Sequence, residues 1–222
     1  MNRKDWHIKM NHIAFQHKER LILDDINLQI RHNDFILMTG QNGSGKSTLL
    51  RIIAGLLKPS MAQISSGHHK QSWPQARNML RQRICYLHQQ PYLFHGTVFD
   101  NIAYGLRRKK VPKQEIGHRV NLALQTFSLE SLINRDCREL SGGEKQRVAI
   151  VRSWIIKPDI ILLDEPFANM DKESRFKSYD LINQLQHNDI AVLLTSHDPQ
   201  MGALNINQHL HLYQGKMVSK HL

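Results

Sequence analysis

The residue types at positions 40–48 could bind a polyphosphate. This segment, GQNGSGKST, fits the pattern G-x-x-x-x-G-K-[ST]. Gly43 and Gly45 let the backbone turn where a Cβ would clash, so successive N–H groups can point at phosphate oxygens. Lys46 supplies a positive charge for the β and γ phosphates, and the Ser47 hydroxyl is a ligand for Mg²⁺. This spacing is typical of the phosphate-binding loop of nucleotide-hydrolysing proteins.

The segments on either side of this loop agree with that interpretation. DFILMTG, before the loop, is a short apolar run typical of a buried strand. From Thr48 onward, TLLRIIAGLL predicts a helix whose positive N-terminal end faces the phosphates. A Gly/Ser-rich linker, the structural alternative, would not carry this motif between a buried strand and an apolar helix.

Two further apolar runs end in residues that could act on a phosphate. KPDIILLDEPF predicts a buried strand followed by Asp164, which can hold Mg²⁺, and Glu165, which can orient or activate a water. IAVLLTSH predicts another buried strand that ends near His197. Because strands alternate with helices, we expect a largely parallel sheet, with Gly40 and these three residues at one edge of it.

The segment LSGGEKQR, at positions 140–147, predicts a second anion-binding element. Ser141 offers a hydroxyl, Gly142 and Gly143 allow a close backbone approach, and a helix begins there. A phosphate loop does not need a second such element in the same chain. The pattern makes sense if two copies of the chain hold nucleotide between them.

The remaining segments predict the outline of an α/β protein. Alternating patterns in HIKMNHIAF and LDDINLQI predict strands near the start, and HLHLYQGKMV predicts a hairpin near the end. Residues 97–157 have apolar residues at helical spacing and could form a separate subdomain. Positions 59–82 are polar, and we predict no regular structure for them.

Composition excludes some classes of protein. The chain has 222 residues, 41% of them hydrophobic, and a mean hydropathy of -0.46, with no apolar run near membrane-spanning length. Its first residues contain no apolar segment, so we expect no secretory signal. Cys85 and Cys137 are far apart and are expected to be reduced thiols in a cytosolic protein.

The charge balance is strongly basic, with a net charge of +11. Such a surface suits nucleic acid, anionic lipid or small anionic ligands. The densest run, residues 107–110, is read as a solvated loop or helix end, with a membrane-surface or partner contact as the alternative. Nucleic acid is not expected, because no basic motif interleaved with aromatic residues is present.

The order and rough spacing of these motifs resemble those of the ATP-binding cassette (ABC) family over nearly the whole chain. Residues 40–48 match its Walker A motif, LSGGEKQ its signature and ILLDEP its Walker B motif. Gln89, in YLHQQPYLF, matches the Q-loop glutamine, and His197 in LLTSHDP matches the switch histidine. Phe15 stands where the family has an aromatic residue, usually Tyr, that stacks on adenine.

This resemblance implies a P-loop NTPase core at 1–88 and 158–222, with a mainly parallel sheet, N-terminal antiparallel strands and an inserted helical subdomain at 89–157. It implies that Mg²⁺ is held by Ser47, Gln89 and Asp164. The catalytic residues implied are Glu165, His197 and Gln89. ATP would be held by Phe15, Gly40, Asn42, Gly43, Ser44, Gly45, Lys46, Ser47 and Thr48, with Ser141, Gly142 and Gly143 from a second copy.

Some positions depart from the family pattern without removing a catalytic group. Asn33 replaces the usual Gly of a hairpin, and Asn tolerates left-handed backbone better than most residues. Ala62 stands near the place of another usual Gly. The D-loop keeps Asp171, but its Asn169 and Met170 could alter packing across a dimer interface.

The family resemblance also implies partners and a location. The chain would form an ATP-sandwich homodimer, dock on separate permease subunits along residues 90–110, and lie on the cytoplasmic side of the inner membrane. YLHQQPYLFHGTVFDNIAYGL is similar to ATPases of bacterial oxyanion importers of the tungstate and phosphate type, which implies a periplasmic binding protein. Other importers, an exporter, and a non-transport ABC ATPase that regulates a membrane or cell-division complex stay open.

Fourteen histidines raise the question of a metal site. His209 and His211 share a strand face, and His68 is adjacent to His69. No cysteine or carboxylate stands nearby at ligand spacing. We therefore expect solvent-facing histidines rather than a structural zinc site.

Overall fold

The computed structural model describes residues 6–67, 69–168, 170–186, 188–197, 201 and 203–218. Its strands are β1 (His7–His17), β2 (Arg20–Arg31), β3 (Phe35–Thr39), β4 (Met61–Ser66), β5 (His69–Gln71), β6 (Ile84–Leu87), β7 (Ile160–Leu163), β8 (Ala191–Ser196), β9 (Gln208–Tyr213) and β10 (Lys216–Val218). Its α-helices are α1 (Lys46–Ile53), α2 (Trp73–Arg83), α3 (Val98–Arg108), α4 (Lys113–Thr126), α5 (Gly142–Trp154) and α6 (Lys172–Gln186).

The central sheet has the order β10-β9-β3-β8-β7-β6. Strands β9, β3, β8, β7 and β6 run parallel, and β10 pairs antiparallel with β9. All five residues of β3 are buried, which is why this strand reads as a continuous apolar run. The expected α/β class, the largely parallel sheet and the terminal hairpin are confirmed.

A second, antiparallel sheet has the order β2-β1-β4-β5. Its first two strands confirm the N-terminal antiparallel strands. Asn33, in the turn after β2, has a φ of 61°, so it adopts the left-handed conformation expected of a Gly replacement.

Positions 59–82 form β4, β5 and most of α2, although their sequence predicts no regular structure. These elements are short and mostly exposed. Helix α2 buries only Ala76 and Leu80, which are one turn apart, and β4 buries only Ile64. Each of these elements buries only one or two side chains against the rest of the protein. So few buried apolar residues produce almost no hydrophobic periodicity in the sequence.

The hydrophobic core lies on both faces of the parallel sheet. Phe35 and Leu37 belong to a cluster with side chains of α3, α4, α5 and α6. Ile36 and Met38 belong to a second cluster with α1, α2 and the antiparallel sheet. Alternate residues of β3 thus point into different clusters. This packing holds the strand ends, and the loops that follow them, from both sides.

The helices α3, α4 and α5 follow one another between β6 and β7, and α3 contacts both of the others. The helical patterns predicted here are confirmed, whereas the division at 88/89 and 157/158 stays a prediction. Helix α1 begins at Lys46 and ends at Ile53, earlier than its apolar run suggests, because Gly55 adopts a φ of 68°. In the described part of the chain, no helix combines the length and the apolar character needed to cross a membrane.

Candidate functional site

The loop between β3 and α1 is packed so closely that two of its glycines cannot be replaced without movement. A Cβ at Gly40 would lie 2.3 Å from the Leu212 carbonyl oxygen. Gly45 has a φ of 105°, and a Cβ there would lie 2.8 Å from Leu23 Cδ2. The loop therefore holds its shape through contacts with β2 and β9. The N-terminus of α1 follows directly, with its free N–H groups.

Lys46 is buried, at 5% exposure, at the start of α1. Its Nζ donates to the carbonyl oxygens of Gly40, at 2.8 Å, and Gln41, at 3.2 Å. The same nitrogen lies 3.4 Å from Glu165 Oε1. Carbonyl oxygens of the loop thus hold the Lys46 ammonium group in place over the loop.

Three predicted site residues surround the Glu165 carboxylate. Lys46 contacts Oε1, while Gln89 Nε2 lies 3.5 Å and His197 Nδ1 lies 3.8 Å from Oε2. Glu165 is 16% exposed and His197 is 66% exposed. The ends of β7, β8 and β6 and the start of α1 supply these groups. The structure therefore brings Lys46, Gln89, Glu165 and His197 together at the carboxyl edge of the parallel sheet.

Asp164 lies behind Glu165, with 3% exposure. Thr195 Oγ1 donates to its Oδ1 at 2.9 Å, and Tyr86 donates its hydroxyl to Oδ2 at 2.9 Å. Thr195 Oγ1 also accepts the Glu165 backbone N–H at 2.9 Å. Glu165 has a φ of 45°, a left-handed conformation that is strained for a non-glycine residue. One threonine hydroxyl thus joins the two acids.

Burial raises the pKa of Tyr86, and the adjacent Asp164 charge and hydrogen bond raise it further. The phenol therefore stays a donor to Asp164 across the physiological range. Sequence reasoning missed both Tyr86 and Thr195. The available signal was a polar residue, Thr195, inside the apolar run AVLLTS, where it is fully buried.

Two clefts open on either side of Glu165, each within the size range of small-molecule sites. One has a volume of about 500 Å³ and is lined by Arg20, Ile22, Asn42, Gly43, Gly45, Lys46, Ser47, Thr48, Gln89 and Glu165. The other has a volume of about 640 Å³ and is lined by Thr39, Gly40, Gln41, Asn42, Gln89, Glu165, Phe167, Ala168, Arg175, His197 and His211.

Some lining residues were not predicted, and some predicted residues line neither cleft. Arg20, from the start of β2, and Arg175, from α6, line these clefts without belonging to any motif in the sequence. Phe15 is half-buried, packs against the cluster that contains α1, and lines neither cleft. Its adenine-stacking role stays a prediction. Ser44, which was also predicted to bind ATP, is a buried residue of the loop, and its carbonyl oxygen accepts from Gly215 N at 3.2 Å.

The signature segment forms the N-terminus of α5. Ser141 Oγ accepts the Glu144 N–H at 3.2 Å, and Glu144 Oε2 accepts the Ser141 N–H at 2.7 Å, which makes a capping box. A Cβ at Gly143 would lie 2.9 Å from Ser174 Cβ, so this glycine allows α5 to approach α6. A Cβ at Gly142 would meet nothing within 4 Å.

Ser141 and Gly142 are exposed, and the signature segment lines neither of the two clefts. One copy of the chain therefore does not bring the signature to its own phosphate loop. In the D-loop, Asn169 lies outside the described residues. Met170 packs against the helical cluster, and Asp171 accepts from Ser174 at the start of α6.

The expectation of solvent-facing histidines is wrong for the β9 pair. His209 Nε2 and His211 Nδ1 each lie 2.9 Å from Thr39 Oγ1, and both residues are half-buried because β9 pairs with β3. Within the described residues, no group of three or more His, Cys, Asp or Glu is arranged to hold a metal ion. His68 lies outside those residues.

Comparison with known proteins agrees with this geometry. The ABC transporter family matches residues 23–168. The chain is 38% identical over 173 residues to the molybdate/tungstate import ATP-binding protein WtpC of Pyrococcus horikoshii, over 77% of this chain and 48% of that protein. It is 37% identical over 196 residues to the ergothioneine transport ATP-binding protein EgtV of Helicobacter pylori, over 87% and 91%.

A solved structure, cbiO1 from Clostridium perfringens, superposes with a TM-score of 0.87 at 28% identity, over 97% of this chain and 88% of that one. It is described as part of the ABC transporter complex cbiONQ. The chain spans about half the length of the molybdate/tungstate relative and nine-tenths of the ergothioneine relative. The chain therefore belongs to the ABC transporter family and is one of its ATP-binding proteins.

Proposed function

We propose that this chain is the ATP-hydrolysing subunit of a multi-subunit ABC importer. The proposal rests on one observation: the Glu165 carboxylate, beside the phosphate loop, is contacted by Lys46, Gln89 and His197. A cation, a carboxylate and polar donors in one cleft are the groups that phosphoryl transfer to water requires.

The loop and the start of α1 would bind the phosphates of ATP. Backbone N–H groups of the glycine-rich loop and the helix N-terminus attract anions. Lys46 is already held over the loop by two carbonyl oxygens. Because its single ammonium also contacts Glu165, a bound phosphate would compete with that carboxylate for it. ATP binding would thus weaken the hold of Lys46 on Glu165.

Ser47, Asp164 and Gln89 would hold Mg²⁺. These side chains offer hydroxyl, carboxylate and amide oxygens, the hard ligands that Mg²⁺ prefers. The two hydroxyl donors to Asp164 fix its carboxylate and leave lone pairs free on both oxygens. When bound, the ion would neutralise negative charge on the phosphates.

Glu165 would orient and deprotonate the attacking water, and His197 would contact the γ-phosphate. The carboxylate is mostly shielded, at 16% exposure, yet it faces both clefts. Its left-handed backbone is held by Thr195, so its direction is fixed relative to Asp164. Gln89 contacts Glu165 at the end of β6, before α3, and would link the site to movement of the helices.

A second copy of the chain would complete each site. The signature N-terminus of α5 is exposed and does not line the clefts of its own chain. Two chains would place Ser141, Gly142 and Gly143 of one against the nucleotide of the other, so that ATP joins them and hydrolysis releases them.

Permease subunits would dock on the aromatic surface formed by Tyr92, Phe94 and Tyr104. Tyr92 is 67% exposed and Tyr104 is 44% exposed, and the Phe94 ring contacts both. Arg152 fixes this surface by donating to the Tyr92 carbonyl oxygen at 2.7 Å. An apolar patch of this kind marks an interaction site. Docking would place the chain peripherally on the cytoplasmic side of the inner membrane.

The cargo we propose to test first is an oxyanion such as tungstate, delivered by a periplasmic binding protein. The similarity to the molybdate/tungstate import ATP-binding protein supports it. However, similarity to the ergothioneine transport protein is almost the same, at 37% against 38%. Cargo choice would therefore reside in the other subunits.

Co-purification tests transport against the alternative. A polytopic permease that co-purifies with the chain would support transport, whereas a co-purifying cell-division complex would favour a regulatory ATPase.

The decisive substitution is Glu165→Gln, which keeps the shape of the side chain and removes its charge. Because general-base help contributes roughly 10²- to 10⁴-fold in rate, ATP turnover should fall by about that factor. ATP binding should persist, and an ATP-bound dimer should accumulate. Steady-state phosphate release and size-exclusion chromatography with ATP measure both. An unchanged turnover rate would overturn the role of Glu165.

A further inference from the structure

Arg20 is a cationic residue of the phosphate cleft that belongs to none of the motifs. It is the first residue of β2 and is exposed. It lines the cleft that contains Lys46, Ser47 and Thr48. It also lines an adjoining cavity of about 390 Å³ that reaches Tyr213. Arg20 therefore stands where the two spaces meet, at the edge of the phosphate loop.

The backbone that carries Arg20 is fixed against that loop. Two and three residues further along β2, the Ile22 carbonyl oxygen and Leu23 Cδ2 lie 3.2 and 2.8 Å from the position of a Cβ on Gly45. Leu23 is fully buried. The position of Arg20 relative to the loop is thus set by packing, although its own side chain is exposed.

The guanidinium of Arg20 has no ion pair or hydrogen bond with any residue in the described ranges. Lys46, by contrast, is shared among two carbonyl oxygens and Glu165. Asp24, an acid on the same strand, is paired with Lys216 at 3.1 Å. The charged residues that line the cleft are Arg20, Lys46 and Glu165, so Arg20 contributes its uncompensated positive charge.

We propose that Arg20 binds the triphosphate of the nucleotide as a second cationic group, at the edge of the loop. An arginine fork pairs with phosphate oxygens through two parallel N–H donors. This inference rests on the proposed function, because it places Arg20 on the nucleotide of that same cleft. Arg20 would bind substrate and transition state alike, so it would act on affinity rather than on turnover.

The test compares Arg20→Gln with Arg31→Gln, since Arg31 is also exposed, lies at the other end of β2 and lines neither cleft. Isothermal titration calorimetry measures Kd for ATP, ADP and inorganic tripolyphosphate, with Mg²⁺ present. For Arg20→Gln we expect Kd to rise about three- to tenfold for all three ligands, because the contact is charge-assisted but exposed. Arg31→Gln should stay within about twofold of the wild type.

Equal ATP affinity in Arg20→Gln and the wild type would overturn the inference. So would a loss of ATP affinity without a loss for tripolyphosphate, since Arg20 would then contact the nucleoside. If wild type and Arg31→Gln bind no ATP at all, the proposed function itself fails. Thermal melting establishes that both variants are folded, which exposed positions on a packed strand should permit.

Discussion

At the scale of single residues, the site depends on buried hydroxyl groups as much as on its acids. Thr195 donates to Asp164 and accepts from the Glu165 N–H, and Tyr86 holds the other Asp164 oxygen. The proposed Mg²⁺ ligand, Asp164, and the proposed base, Glu165, thus share one support. Because Thr195 is fully buried, its role in the proposed mechanism would be to position these two residues.

Substituting Thr195→Val keeps the shape of this side chain and removes its hydroxyl. Asp164 would lose a donor and the Glu165 N–H an acceptor, so both acids could rotate. We expect kcat to fall by roughly tenfold with little change in KM, because misplacing reacting groups costs rate. Steady-state kinetics measures both constants.

Thr195→Ser restores the hydroxyl and should restore kcat, which a purely structural loss would not show. The unpaired N–H should also lower stability by about 1–3 kcal/mol. Wild-type kcat in Thr195→Val would contradict the positioning role. The Mg²⁺ concentration for half-maximal rate should rise in the same variant, because Asp164 is held by one donor fewer.

At the scale of elements, the two glycines at the start of α5 have different reasons to be glycine. Gly143 lies where α5 meets α6, while the space around Gly142 is open. Packing explains why Gly143 is a glycine, and the proposed contact with a partner's nucleotide would explain Gly142. The signature segment at 140–147 therefore combines a structural requirement with a proposed contact.

Alanine substitutions separate these two reasons. Gly143→Ala would place a methyl 2.9 Å from Ser174, and such overpacking costs about 1–3 kcal/mol, so the melting temperature should fall. Gly142→Ala should leave the melting temperature equal or higher, since Ala favours helix. The ATPase rate of Gly142→Ala and the amount of dimer that it forms with ATP should nevertheless decrease. Thermal melting and ATPase assays compare the two; full activity in Gly142→Ala would argue against a partner nucleotide there.

The capping box of α5 should make this helix sensitive to acid. The Ser141 backbone hydrogen bond, followed by its hydroxyl and nearby arginines, lowers the pKa of Glu144 below its ordinary value of 4.5. A lowered pKa means that the stabilisation is complete above about pH 4.5 and is lost as pH falls through the folded-state value. Glu144→Gln keeps a hydrogen-bonding side chain but cannot titrate.

We therefore expect Glu144→Gln to have a lower melting temperature than the wild type at pH 7. The loss should correspond to about 1 kcal/mol in the free energy of unfolding, as for the loss of a helix cap. The difference should shrink as the pH falls below 4.5. Differential scanning calorimetry from pH 7 to pH 3.5 measures it. A gap that stays constant over this range would show that the charge of Glu144 does not stabilise the helix.

At the scale of the whole molecule, the parallel sheet gathers the Glu165 cluster, but it leaves the signature outside the clefts. Under the proposed function, each copy would hold half of a site, and a two-fold dimer would supply two complete sites. The basic run at 107–110 is partly used within the chain. Arg107 pairs with Asp100 at 2.9 Å, and Lys109 donates to the Ile156 carbonyl oxygen at 2.7 Å.

Mixing two inactive variants tests the shared site. Lys46→Ala should mainly weaken ATP binding, and Ser141→Arg should block the signature; each alone should be inactive. Mixed dimers contain one intact composite site, so an equimolar mixture should recover about a quarter of wild-type activity if the sites act independently. ATPase titration of one variant into the other measures this. Strictly additive, near-zero rates would argue for a site within one chain.

The sequence by itself determined the strand, loop and helix around Lys46, the acids after β7 and the histidine after β8. It could do so because buried parallel strands are continuous apolar runs, and the polar residue that ends each run must lie at the same sheet edge. The family motifs then assigned Gln89, which local pattern alone would not distinguish from an ordinary polar residue, and identified the second anion-binding element as the signature.

Only the tertiary structure decided which side chains support and complete that edge. Thr195 and Tyr86 come from strands whose own patterns serve packing, and they reach Asp164 through hydrogen bonds that span 31 and 78 positions of sequence. The histidines of β9 became half-buried because β9 pairs with β3. In positions 59–82, β4 pairs with β1, and Ile64, Ala76 and Leu80 join the core cluster beside α1. The spacing of residues along the chain predicts which residues lie at the carboxyl edge of the sheet. The side chains that hold those residues in place come from other elements, so they are known only once the elements pack.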